Sequence, residues 1–201
     1  SGLRLAALEL EAQAVARASI PDFQDAQAKI IVDIGRARSG AAIFAGGGVI
    51  FTSTVEVGGK IFEEEISREL GVNPSEAAQI KIATGLDPRF REGKLFSALS
   101  RPLSLLAEEI RKAMDYYAVH VKDRHGASPE VGGVILAGGD ANLLGVATYL
   151  ASSLKTPVEI IRPLVTLDGG VSGKVFRAPP LSRRELPAYA IAIGLALRNI
   201  T

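Results

Sequence analysis

The chain has 201 residues, no cysteine and two histidines, and its 23 basic and 22 acidic side chains leave a formal net charge of +1. That balance excludes the broad basic field of a nucleic-acid-binding protein, and the lack of cysteine excludes disulfides and thiolate metal sites. With 47% hydrophobic and 22% charged residues the chain is long enough for one sizeable core. No apolar run reaches the ~18 residues of a membrane span, and no basic-then-apolar leader opens the sequence, so a cytoplasmic, non-spanning chain is expected.

Residues 3–20 begin as an alternating apolar stretch, become helical in their alanine-rich part and stop at Pro21. Residues 29–34 are almost wholly apolar and β-branched, as a strand covered on both faces would be. Strands over 41–45 and 49–57 follow, joined through Gly46, Gly47 and Gly48. After Gly58 and Gly59, the spacing of Ile61, Phe62, Ile66 and Leu70 predicts a helix ended by Gly71. Asn73, Pro74 and Glu76 then read as N-cap, first turn and capping box of a second helix running to about Gly85.

Residues 86–101 show no clear period and read as a loop. From Pro102 a long amphipathic helix is expected, with Leu103, Leu106, Ala107, Ile110, Met114, Tyr117 and Val121 on one face and Glu108, Glu109, Arg111, Lys112 and Asp115 on the other. A strand at 134–137, the Gly138-Gly139 turn, a helix over 142–154 and a strand at 157–161 make a unit that places ligands at the carboxyl ends of strands. Residues 162–187 are rich in Pro and Gly, with Asp168-Gly169 as a hairpin turn. The chain closes on an apolar, small-residue helix.

Two of these turns carry chemistry. A buried strand ends in Asp33 and is followed by Gly35 and Ser39: a fixed carboxylate, a residue that lets the backbone approach a polyphosphate, and a hydroxyl to face an oxygen. Gly138 and Gly139 repeat the logic after a second strand, where a helix start adds partial positive charge. Together they point to a nucleotide cleft, although strand-to-helix turns need glycine with or without a ligand. His120 and His125 read as solvated, and the consecutive Glu63, Glu64 and Glu65 as a solvated helix face. No nucleophile with a His and Asp partner is apparent.

The ordered set VDIGxxRS, FTSTVEVGG, AAQIK, VILAGGDANLLGVATYLASSLKTPVEI and AYAIAIGLALR closely resembles the second half of the type IV pilus assembly protein PilM family, FtsA-like members of the actin-like ATPase superfamily. The resemblance covers nearly the whole chain. It implies an α/β, ribonuclease H-like fold with a mixed sheet flanked by helices. Residues 1–28 would be the interlobe connector and 29–201 the second lobe, with subdomains 2A and 2B and residues 60–130 forming the 2B-like insertion.

Carried over by residue, the resemblance puts Asp33, Gly35, Arg38 and Ser39 in the second phosphate loop, with Asp33 holding a water on Mg²⁺. An Arg38–Asp33 ion pair is the alternative there. Lys81, on the helix pair after Gly58 and Gly59, is expected at the ribose or adenine, its replacement by alanine altering nucleotide contact alone. Gly138 and Gly139 take the adenosine-motif positions. Ala78 stands where relatives carry a sugar-contacting glutamate, and Arg36-Ala37-Arg38 replaces a glycine-rich stretch.

The intact protein would then bind ATP with Mg²⁺ as a scaffold under the inner membrane and dock the cytoplasmic tail of PilN, mainly through a first lobe that this chain lacks. Alternatives are the second lobe of a sugar-kinase-type enzyme, or an FtsA-like filament subunit. The connector and the final helix are expected to present an interlobe surface open to self-association.

Overall fold

The structure is a computed structural model that describes residues 2, 5, 7–20, 27–120, 130–162, 181–182 and 184–198. Helix α1 (Glu11–Ser19) precedes strands β1 (Lys29–Ile34), β2 (Ser39–Ala45) and β3 (Gly48–Val55). Helices α2 (Gly59–Leu70), α3 (Pro74–Thr84) and α4 (Lys94–His120) lead to β4 (Gly133–Ala137), α5 (Val146–Leu154), β5 (Val158–Ile160) and α6 (Ala190–Ala196). The sheet order is β3-β2-β1-β4-β5. The first three strands form an antiparallel meander, while β4 runs parallel to both β1 and β5.

Alternation along the central strands builds a core on each face of this sheet. Ile30, Val32, Ile34, Val134 and Leu136 pack with α2, α4 and α5 residues such as Phe62, Leu103, Leu106 and Leu150. Ile31, Ile135 and Ala137 turn the other way, against Val15, Ala16 and Ala18 of α1 and Ala190 of α6. The doubly covered strand read from residues 29–34 follows from these two layers.

The helix pair forms as its capping residues dictate. Gly71 ends α2 in the left-handed region, and the Asn73 side chain accepts from the Glu76 N–H at 2.9 Å to open α3. The expected loop over 86–101 is corrected: after a short turn at Phe90–Gly93, α4 starts at Lys94, with Pro102 inside it. Proline in a helix interior costs about 3 kcal/mol. Burial of Leu95, Ala98, Leu99, Pro102, Leu103 and Leu106 along one continuous stripe across that residue offsets it.

Between β3 and β4 the elements among the described residues are all helices, and α4 lies against the sheet while α2 and α3 pack beyond it. The face expected on the final helix is partly covered, because α6 packs on α1. Gly194 is buried against the Ala14 backbone, and its carbonyl accepts from Arg17 Nη1 at 2.9 Å. Ala192, Leu195 and Ala196 on the outer side are exposed. The Asp168-Gly169 hairpin, Val121 and His125 lie outside the described residues.

Candidate functional site

The two glycine turns meet at the carboxyl ends of the parallel strands β1 and β4. Asp33 is the penultimate residue of β1 and pairs in register with Ala137, which precedes Gly138. Gly138 has φ +89, and a Cβ there would run into the Asp33 carboxylate and the Ile34 carbonyl. The position therefore needs glycine both for its backbone and for the approach of Asp33.

The turn after β1 is closed by the Gly35 N–H donating to the Arg38 carbonyl at 3.1 Å. It is seated on the start of α2, where the Gly59 N–H donates to the Gly35 carbonyl at 3.0 Å and the Lys60 N–H to the Arg36 carbonyl at 2.8 Å. A Cβ at Gly58 would stand 2.5 Å from the Gly35 carbonyl oxygen. Gly35, Gly58, Gly138 and Asp33 are thus one packed constellation.

The Asp33 carboxylate is part-buried and makes no hydrogen bond or ion pair with another described residue. Burial pushes its pKa up, and the charge of Glu11 across the gap adds to the shift. The alternative Arg38–Asp33 pair does not form among the described residues; Arg38 is exposed. Above Asp33 opens a cavity of about 660 Å³, lined by Glu11, Val15, Gly35, Arg38, Gly40 and Thr54 among others. A carboxylate without a cationic partner among the described residues, at the bottom of such an opening, fits a hydrated cation.

Ser39 departs from its expected role. It is fully buried, and its hydroxyl donates to the Val57 carbonyl at 2.6 Å, tying β2 to the segment after β3 instead of facing the opening.

Lys81 is likewise engaged inside the protein. Its Nζ donates to Glu63 Oε1 at 2.9 Å and to Asp140 Oδ1 at 2.5 Å, and Arg36 reaches the same Glu63 through two bonds of 3.1 and 3.0 Å. The chain Arg36–Glu63–Lys81–Asp140 alternates in sign and links the β1–β2 turn, α2, α3 and the turn after β4. Lys81, Glu63 and Asp140 have side chains only 8%, 11% and 15% exposed. Burial pushes the Glu63 carboxyl up, but the hydrogen bonds from Arg36 and Lys81 outweigh it, so Glu63 titrates below its usual range. A solvated Glu63 is therefore corrected. A Cβ at Gly59 would overlap the Asp140 carboxylate, so this ion chain also accounts for the second glycine of that pair.

Beside the chain lies a second cavity of about 320 Å³, lined by Lys81, Gly139, Asp140, Asn142, Leu143 and Arg184 among others. Lys81 and Gly139, both singled out from the sequence, lie together at this cavity, whereas Arg36, Glu63, Asp140 and Glu11 were not among the residues assigned to the site. For Glu63 a signal existed, since Gly59, Phe62, Glu63 and Ile66 share the buried face of α2.

A mixed sheet in the order 3-2-1-4-5, with helices on both faces and glycine turns at the ends of its first and fourth strands, defines an actin-like ATPase fold. The chain superposes on MreB 5 of Spiroplasma citri bound to AMPPNP with a TM-score of 0.72 at 15% identity, covering 98% of this chain and 60% of that one. Against the PilM-PilN type IV pilus biogenesis complex the TM-score is 0.70 at 20% identity, over 100% of this chain and 55% of the other. The cell shape-determining protein Mbl of Bacillus cereus is 28% identical over 185 residues, 80% of this chain and 56% of Mbl. The family model for type IV pilus assembly protein PilM matches residues 4–200, and the chain belongs to that family. It spans about half the length of the relatives it matches.

Proposed function

We propose that this chain is the second, nucleotide-binding lobe of a PilM-like scaffold of type IV pilus assembly, taking ATP with Mg²⁺. The observation that carries this reading is Asp33, a partly desolvated carboxylate without a partner among the described residues, set against Gly35 and Gly138 beneath an open cavity. Asp33 would hold the cation through water, the turn from Gly35 to Arg38 would face the phosphates, and Gly138 and Gly139 would border the adenosine. With Lys81 committed to two carboxylates, base and sugar contacts fall to the backbone and to the walls of the second cavity.

In this reading the protein works in the cytoplasm, held at the inner membrane by the cytoplasmic tail of a PilN-like partner that docks mainly on a first lobe. Among the described residues no helix is long and apolar enough to cross a membrane, in keeping with attachment through partners. Family membership favours this scaffold over a sugar kinase.

The test is a Mg²⁺-ATP titration of the ¹⁵N-labelled chain to millimolar nucleotide, with Asp33→Asn as control. Shifts at the Gly35, Gly138 and Gly139 amides that require Asp33 are expected. Shifts confined to other surfaces, or unaltered in Asp33→Asn, overturn the reading.

A further inference from the structure

One residue on the floor of the larger cavity has an identity that the fold does not demand. Gly40 pairs with Asp33 on one side and Thr54 on the other, so the three positions stand in a single row across β1, β2 and β3. Directly opposed residues in an antiparallel pair share a face, and this one is the α1 side of the sheet. The φ of Gly40 lies outside the left-handed region, and a Cβ built on it meets no atom of a described residue within 4 Å. Glycine within a strand weakens it, yet neither conformation nor packing requires glycine here. Its effect is to leave a gap between the Asp33 carboxylate and Thr54.

The neighbouring row, Ile31, Ala42 and Thr52, also has a small residue at its centre. Thr52 and Thr54 are exposed, and neither hydroxyl bonds to another described residue. The cavity covers both rows, with Glu11 on the α1 wall and Arg38 at its rim. Two carboxylates repel a bare anion, so a cation must come first; Arg38 and the hydroxyls then suit the oxygens of a phosphate attached to it.

We propose that Gly40 is a bare seat for the ligand and that Thr54 is a positioning residue: a hydrated divalent cation with its polyphosphate lies across the row from Asp33 to Thr54. Two strand spacings, about 9–10 Å, separate the ends of that row, room for a cation with metal–oxygen distances near ~2.1 Å, its water and a phosphoryl group. This rests on the nucleotide reading above and deepens it.

The experiment uses Mn²⁺ with ATP and Mn²⁺ with inorganic tripolyphosphate, read by paramagnetic broadening of threonine methyl signals. The wild type is expected to lose the Thr54 and Thr52 signals with either probe. Gly40→Val, whose methyl groups enter the gap, should weaken the broadening at least tenfold while its Tm equals or exceeds that of the wild type, and Thr54→Val should weaken it several-fold at Thr52. Gly40→Val broadened like the wild type, with Asp33→Asn inert, overturns the seat and leaves the nucleotide reading standing. Asp33→Asn broadened like the wild type, or a wild type unaffected at millimolar probe, overturns both. A Gly40→Val that loses Tm together with binding also overturns the proposal, because glycine would then serve the fold.

Discussion

The Lys81 ammonium lies 2.5 Å from the Asp140 carboxylate, joining α3 to the turn after β4 across 59 residues of sequence. With Glu63 on its other side at 2.9 Å, this amine stands between two nearly buried carboxylates. Removing it leaves two carboxylates close together with little water. Breaking a buried pair from one side costs about 3 kcal/mol. Lys81→Met should therefore lower stability by about that amount in urea unfolding, and adding Glu63→Gln and Asp140→Asn should restore part of it. Unchanged stability would show that water already screens the chain.

Asp33 carries the opposite liability. Its carboxyl titrates above its ordinary value because burial and then Glu11 disfavour the charge. The folded state thus holds this proton more tightly than the unfolded one. The contribution to stability is fully present below the unfolded value of about 3.9 and is lost as pH rises through the folded value. Asp33→Asn should leave stability nearly unchanged at pH 3 and raise it at pH 7, with the gain appearing between. Glu63, titrating low, runs the other way and costs stability as pH falls through its folded value. Thermal melts of the wild type, Asp33→Asn and Glu63→Gln across pH 3–8 separate the two.

Gly194 has no room for a side chain. A Cβ there collides with the backbone of Ala14, and parting the helices also breaks the bond from Arg17 to the Gly194 carbonyl. Gly194→Ala should cost about 1–3 kcal/mol, as overpacking does. Amide exchange in Glu11–Ser19 and Ala190–Ala196 should quicken more than exchange in the sheet. Equal quickening everywhere would mean that the contact is no separate unit.

ATP turnover by this chain should stay at background. Phosphoryl transfer depends on positioning and charge neutralisation around the whole transferred group, and this chain supplies groups on one side of the opening. A phosphate-release assay with Asp33→Asn alongside is the check. Mg²⁺-dependent release lost in the variant would show that one lobe suffices.

Much of this architecture was legible because local patterns and tertiary packing agree in it. Asp33, Gly35 and Gly138 converge because short turns follow parallel strands, and that order of elements can be read from the residues. Pro102 misled because a local rule was outweighed by a stripe of burial from Leu95 to Leu106 that only the sheet makes worthwhile. Ser39 and Lys81 misled for another reason. A hydroxyl or an ammonium at the expected position says nothing of where it finds its partner, and Val57 and Asp140 lie 18 and 59 residues further on. The expectation that Lys81→Ala alters nucleotide contact alone gives way to a structural role for that amine.

The parallel pairing of Lys29–Asp33 with Gly133–Ala137 joins segments about a hundred residues apart, whereas β1, β2 and β3 follow one another through short turns. Local pairings close at small entropic cost and distant ones at greater cost, so topology of this kind assembles its meander first and admits the fourth strand late. The row from Asp33 to Thr54 belongs to the early part, and the glycine that Asp33 touches arrives with the late one. A refolding experiment that follows both should see the site mature in two stages, with the Asp33–Gly138 contact as the clock for the second.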